Sequence, residues 1–143
     1  DAGTPAISDP GAFLVSYIRE ACGEKSIVPI PGVSAAAAAL SVSGLTDDRF
    51  LFLGFLPHKK GRQKFLDEAT ASKTAVVLYE SPHRMEKLLE ELVERIPARR
   101  IILARELTKL YEEIAAGTAA ENLDRFKNGD ISGKGEFVVV IAP

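Results

Sequence analysis

The spacing of apolar positions changes period along the chain, and each change marks an element. After Asp9, the residues Phe13, Leu14, Tyr17, Ile18 and Ala21 fall on one helical face, with Ser16, Arg19 and Glu20 opposite. Asp9 reads as the cap of that helix and Pro10 as its first residue, where a missing N–H costs nothing; Gly23 reads as its end. Residues 27–30 form a short apolar run, read as a buried strand from which Pro29 removes one ladder donor. Residues 33–43 read as a helix stopped by Gly44. Its alanines have high helix propensity and a slim profile, so residues 36–39 are expected to lie tightly on a sheet, with Ser34 and Ala35 leaving room for a ligand.

Beyond a short polar stretch at 45–49, the strand period takes over. Residues 50–53 read as a strand closed by Gly54, followed by a basic loop entering a helix that carries Phe65, Leu66 and Ala69. Residues 74–79 are β-branched and apolar throughout, the mark of a strand buried on both faces. Ser81 and Pro82 open the clearest amphipathic helix, with Met85, Leu88, Leu89, Leu92, Val93 and Ile96 on one stripe. Strands are expected at 101–104, 113–116 and 136–141, and Thr118 with Glu121 makes a capping box for a helix reaching Phe126. The sum is an α/β fold: a mixed sheet of about five strands flanked by helices. Residues 1–46 are expected to be the C-terminal part of one α/β domain and residues 47–143 a second, complete one.

Composition narrows the picture. The chain has 143 residues, 46% hydrophobic and 27% charged, which supports a packed core in a soluble protein. No stretch approaches the ~20 apolar residues of a membrane span. The single cysteine, Cys22, excludes an internal disulfide and suits a reducing cytoplasm, and His58 and His83 stand too far apart in sequence to suggest a metal cluster. A net charge of −2 gives no global pull on nucleic acid, so any RNA contact must come from a local patch.

The candidate chemistry lies in turns. Asp1, Ala2, Gly3 and Thr4 form a small-residue loop that runs into a helix, and residues 31–34 form a second such turn ahead of Ser34 and Ala35. In open α/β sheets these turns gather at one edge and line a crevice, where free main-chain N–H groups meet a ligand. Lys59, Lys60, Arg62 and Lys64 place four cations in six positions beside His58, suited to phosphates or to a plain solvated loop. Two strands end in charged turns, at residues 80–84 and 105–109, suited either to structural ion pairs or to a site.

Taken together, DAGTPAISDPG, PGVSAAAAALSVSGL, GFLPHKKGR, YESPHR, LARELTK and GEFVVVI resemble the ribosomal RNA small subunit methyltransferase I family, in that family's order and across the whole chain. The resemblance implies a tetrapyrrole methylase-like fold and S-adenosyl-L-methionine as methyl donor. It also implies a cytidine 2′-hydroxyl of 16S ribosomal RNA, free or in the small ribosomal subunit, as substrate, and a homodimer in the cytoplasm. In the resembling family a substantial segment precedes DAGTP; with no initiator Met here, the chain reads as a fragment carrying the remnant of a preceding domain. The resemblance implies donor contacts at Asp1, Ala2, Gly3, Thr4, Ser34 and Ala35, and near Glu80, Leu107 and Gly135. It strengthens His58, Lys59, Lys60, Arg62, Lys64 and Arg84 as RNA contacts. Methyl transfer needs donor and acceptor aligned within about 3–3.5 Å but no covalent nucleophile. Glu80, Glu106 and Lys109 are candidates to assist the hydroxyl, and nothing in the pattern selects among them. Two alternatives stand beside this reading: a methylase of a tetrapyrrole or other small substrate on the same fold, and a binding or dimerisation domain without chemistry.

Overall fold

A computed structural model of the chain describes residues 3–45 and 48–143. The expected junction at 46/47 and the expected donor contacts at Asp1 and Ala2 lie outside the described residues. Among those described, β1 (Phe50–Phe55), β2 (Ala75–Glu80), β3 (Arg100–Arg105), β4 (Glu113–Thr118) and β5 (Phe137–Ile141) form one five-stranded sheet in the order β1-β2-β5-β3-β4. Only β1 and β2 pair in parallel; β5 runs antiparallel to both β2 and β3, and β4 antiparallel to β3. The mixed sheet expected from the strand periods is the sheet observed.

Both faces of the central strands are buried, which is why these strands read as continuous apolar runs rather than alternations. On one face Val76, Leu78, Ile101, Leu103, Phe137, Val139 and Ile141 meet Leu66, Met85, Leu88, Leu89 and Leu92. These partners come from α3 (Arg62–Ala71) and α4 (Pro82–Arg95), and Ala119 of α5 (Ala119–Asn128) joins them. The opposite face carries Val77, Ile102, Ala104, Val138 and Val140, covered by Ala36, Ala39 and Leu40 of α2 (Ala35–Ser43). The alanine stripe thus does what its slim profile predicts, and α2 shares a core with the sheet. The capping box forms as expected: the Glu121 N–H donates to Thr118 Oγ1 while the Thr118 N–H donates to the Glu121 carboxylate.

Residues 9–30 depart from expectation in three ways. Helix α1 (Ala12–Cys22) starts two residues later than predicted; its N-cap is Gly11 at φ 135°, without a side-chain cap bond, so Asp9 does not cap it. Residues 27–30 are not a strand, and Val28 and Ile30 are 72% and 69% exposed. All five strands of the sheet come from residues after 49, and residues 27–30 pair with none of them; Pro29 would leave any such ladder one donor short. The apolar stripe of α1 is real but faces outward: Phe13, Leu14 and Tyr17 are all exposed.

Candidate functional site

One edge of the sheet gathers several strand ends. Glu80 at the end of β2 and Arg105 at the end of β3 are both in register with Phe137 at the start of β5, and Phe55 at the end of β1 stands beside Tyr79. A β-bulge between Phe52 and Gly54, with Gly54 at φ 64°, redirects the end of β1. Above this edge lie the two small-residue turns, and they touch. The Thr4 N–H donates to the Val33 carbonyl at 3.0 Å, and Thr4 Oγ1 donates to the Gly32 carbonyl at 3.0 Å. A Cβ on Gly32 would stand 3.1 Å from Thr4 N and 3.2 Å from the Gly3 carbonyl, so only glycine allows so close a backbone approach.

Between turns and sheet edge is a cleft of about 810 Å³. That volume falls in the usual range of small-molecule sites, about 300–1,000 Å³. Gly3, Thr4, Ser34, Ala35 and Glu80 line it, as expected. Leu107 and Gly135 do not: Leu107 packs against the core on the α2 face, and Gly135 lies under the Glu106 side chain. Their neighbours Lys109 and Glu136 reach the cleft instead. Leu107 and Gly135 lie in the loops beyond β3 and before β5, where neighbouring residues point in different directions and an assignment off by one or two residues misses the cleft.

The start of α2 has its main-chain donors arranged by the wall opposite. The Ala37 N–H donates to Ser34 Oγ and the Ala36 N–H to the Tyr79 hydroxyl at 3.1 Å; the Ala35 N–H has no partner among the described residues. Tyr79, held edge-on between Phe52 and Phe55 at centroid distances of 5.1 and 5.3 Å, therefore fixes the helix start to the sheet. Tyr79 and Phe55 are not among the expected site residues. Their signal lies in position alone, as aromatics closing strands that end at the crevice edge.

Charge around the cleft separates into structural and free groups. Glu80 is 1% exposed; one oxygen accepts from Arg84 at 2.5 Å and the Ser81 N–H at 2.8 Å, the other from Arg62 at 3.2 Å. A carboxylate so fully engaged is a wall, not a base. Arg62 is 4% exposed and forks onto Glu91 at 2.6 and 3.0 Å as well. Burial pulls its pKa down, but the hydrogen bonds it donates to Glu91 and Glu80 outweigh that and leave it above the ordinary value. The expectation of Arg62 on a phosphate-binding rim is therefore corrected: its guanidinium has no surface to offer. Arg84 is likewise occupied, by Glu80, Ser81 Oγ and the Leu56 carbonyl. His58, Lys59, Lys60 and Lys64 remain exposed. Asp9 and Glu136 add carboxylates to the cleft wall, against the single cation Lys109 among the described lining residues, so the cleft favours a ligand carrying positive charge. No group of His, Cys, Asp and Glu among the described residues could hold a metal.

Comparison with known proteins fits this geometry. Residues 1–122 match the family described as Tetrapyrrole (Corrin/Porphyrin) Methylases. The chain is 43% identical over 143 residues to the ribosomal RNA small subunit methyltransferase I of Halalkalibacterium halodurans, covering 99% of the chain and 48% of that protein. It is 45% identical over 143 residues to the enzyme of the same name from Escherichia coli O157:H7, covering 99% of the chain and 49% of that protein. The chain thus spans about half the length of these curated relatives. Among solved structures, the uroporphyrin-III C-methyl transferase of Thermus thermophilus complexed with S-adenosyl homocysteine superposes with a TM-score of 0.63 at 14% identity, over 98% of this chain and 62% of that one.

Proposed function

The chain belongs to the tetrapyrrole (corrin/porphyrin) methylase family, and from that premise we propose that its cleft takes S-adenosyl-L-methionine and serves the 2′-O-methylation of a cytidine in 16S ribosomal RNA. The observation that carries the reading is the meeting of the Thr4 and Ser34 turns over the ends of β1 and β2. The donor set fits the cofactor. Main-chain groups of Gly3, Thr4 and Ala35 suit its amino-acid and ribose portions, Tyr79 and Phe55 offer aromatic surface to its base, and the acidic balance of the wall suits its sulfonium and ammonium. When bound, the cofactor supplies an electrophilic methyl group. The protein's part is to hold the acceptor oxygen in line with it.

Calorimetry with S-adenosylmethionine tests the donor site. Gly32→Ala is expected to push the two turns apart by a few tenths of an ångström and weaken donor binding about tenfold, a loss of about 1.4 kcal/mol. Unchanged affinity would remove the meeting of the turns from the reading.

The RNA-facing rim is proposed to comprise His58, Lys59, Lys60 and Lys64, all exposed beside the cleft wall that ends at Phe55. Reversing charge at Lys59, Lys60 and Lys64 is expected to weaken binding to a 16S RNA fragment and to flatten its salt dependence by about 0.7–0.9 in log–log slope for each phosphate no longer neutralised. An unaltered slope would place the RNA elsewhere. The homodimer that the family resemblance implies belongs to the same proposal, and the outward-facing Phe13, Leu14 and Tyr17 support it as apolar surface in want of a partner.

A further inference from the structure

Resting on the reading just given, we propose that Lys109 is the residue that meets the nucleotide being methylated. Its ammonium donates to an oxygen of that nucleotide's ribose–phosphate, and Glu106 is the positioning residue that aims it.

Lys109 sits in a turn built at unusual conformational expense. Glu106 at φ 49° and Thr108 at φ 64° both occupy the left-handed region that side chains disfavour. The turn is nonetheless tied at every corner. The Glu106 N–H donates to the Glu136 carbonyl at 3.0 Å, the Lys109 N–H to the Glu106 carbonyl at 2.9 Å, and the Thr108 N–H to the Glu112 carboxylate at 2.6 Å. Beneath it, Arg105 clamps the Lys134 and Tyr111 carbonyls and the Glu113 carboxylate. Backbone strain held this firmly belongs to a place where geometry matters.

The product of that geometry is an aimed ammonium. Lys109 Nζ donates to Glu106 Oε1 at 3.0 Å and to Glu136 Oε2 at 2.7 Å. An ammonium has three N–H donors, so one is left for a ligand. The side chain is 49% exposed and lines the cleft. Glu106 Oε1 also accepts the Glu136 N–H at 2.9 Å, which stops the carboxylate from swinging and carries Lys109 with it. The hydrogen bonds that Lys109 donates to Glu136 and then to Glu106 hold its pKa above the ordinary value, so at neutral pH it keeps its proton and binds rather than abstracts. At the reacting centre the donor brings a sulfonium, which a cation repels, whereas the acceptor's ribose and phosphate bring oxygen atoms, which an ammonium attracts. Lys109 therefore belongs to the acceptor side.

The test uses the full-length protein, with donor affinity read by calorimetry and single-turnover methyl transfer read from labelled S-adenosylmethionine to small ribosomal subunits. Lys109→Met is expected to keep donor affinity within about twofold while transfer falls about 100-fold, the scale on which misplaced reactants lose rate. Lys109→Arg should recover part of the loss. Glu106→Gln, which keeps an acceptor for the Glu136 N–H but loses the charge, should lower the transfer rate with donor affinity unchanged. Because Lys109 is half-exposed, its variant should unfold at the wild-type denaturant concentration. Active wild-type protein with an equally active Lys109→Met variant overturns this inference alone, as does parallel loss of donor affinity and transfer. Wild-type protein that binds the donor yet transfers nothing to the subunit overturns the functional reading and this inference with it.

Discussion

Arg62→Met is expected to lower the free energy of unfolding by about 3–5 kcal/mol, the cost of leaving a buried charge without its partner. Arg62 opens α3, Glu91 lies on α4 and Glu80 ends β2, so one guanidinium joins two helices to the cleft floor. Glu80 would keep Arg84, but the Glu91 carboxylate, 11% exposed, would lose its charged partner. Urea denaturation monitored by circular dichroism reads the loss directly. Arg62→Met combined with Glu91→Leu should recover most of it, because removing both charges leaves apolar groups of similar bulk. The alternative origin of Arg62, as one of a run of RNA-binding cations, predicts the reverse: weaker RNA binding at unchanged stability.

Gly135→Ala should have the next largest effect. Gly135 sits at φ 91°, and a Cβ there would fall 2.5 Å from Glu106 Cγ and 2.7 Å from its Cδ. The left-handed backbone alone costs about 1–2 kcal/mol for a residue with a side chain. The Glu106 carboxylate must also leave its place, releasing the Glu136 N–H and Lys109. The expected result is a less stable protein with its methyl transfer reduced as in Lys109→Met. Acid supplies a signature. The Glu136 N–H, followed by Lys109, holds Glu106 below its ordinary pKa of 4.5. A carboxyl depressed in the folded state stabilises fully above its unfolded value and loses that contribution as pH falls through the folded one. The stability gap between wild type and Gly135→Ala should therefore narrow below about pH 4.5, in a series of denaturation midpoints taken against pH. A gap constant across that window would show that Glu106 had not been displaced.

Much of this architecture is legible in the residues. The strands at 75–80, 100–105 and 137–141 declare themselves because they are buried on two faces and need no alternation. Helix α4 announces itself by its stripe, and Met85 is core at 0% exposure. What fails does so for tertiary reasons. Periodicity in α1 states which side chains share a face, not whether anything covers it, and Phe13 at 85% exposure shows the difference. The run at 27–30 has strand composition but pairs with no strand of the sheet. In the site, glycine and serine mark the turns correctly because close backbone approach requires them. The basic run misleads at Arg62 because local sequence cannot see Glu91, which arrives 29 residues later. Glu106, Lys109 and Gly135 form one device split between two loops, and only the fold shows that they meet.

The sheet order has a consequence for how the polypeptide is made. β5 leaves the ribosome after the other four strands yet takes the middle place between β2 and β3. Until it is synthesised, the β1–β2 and β3–β4 pairs have no common partner, and each exposes a raw apolar edge to its neighbours. The nascent chain must therefore wait, half-assembled and adhesive, for β5 before the cleft has a floor.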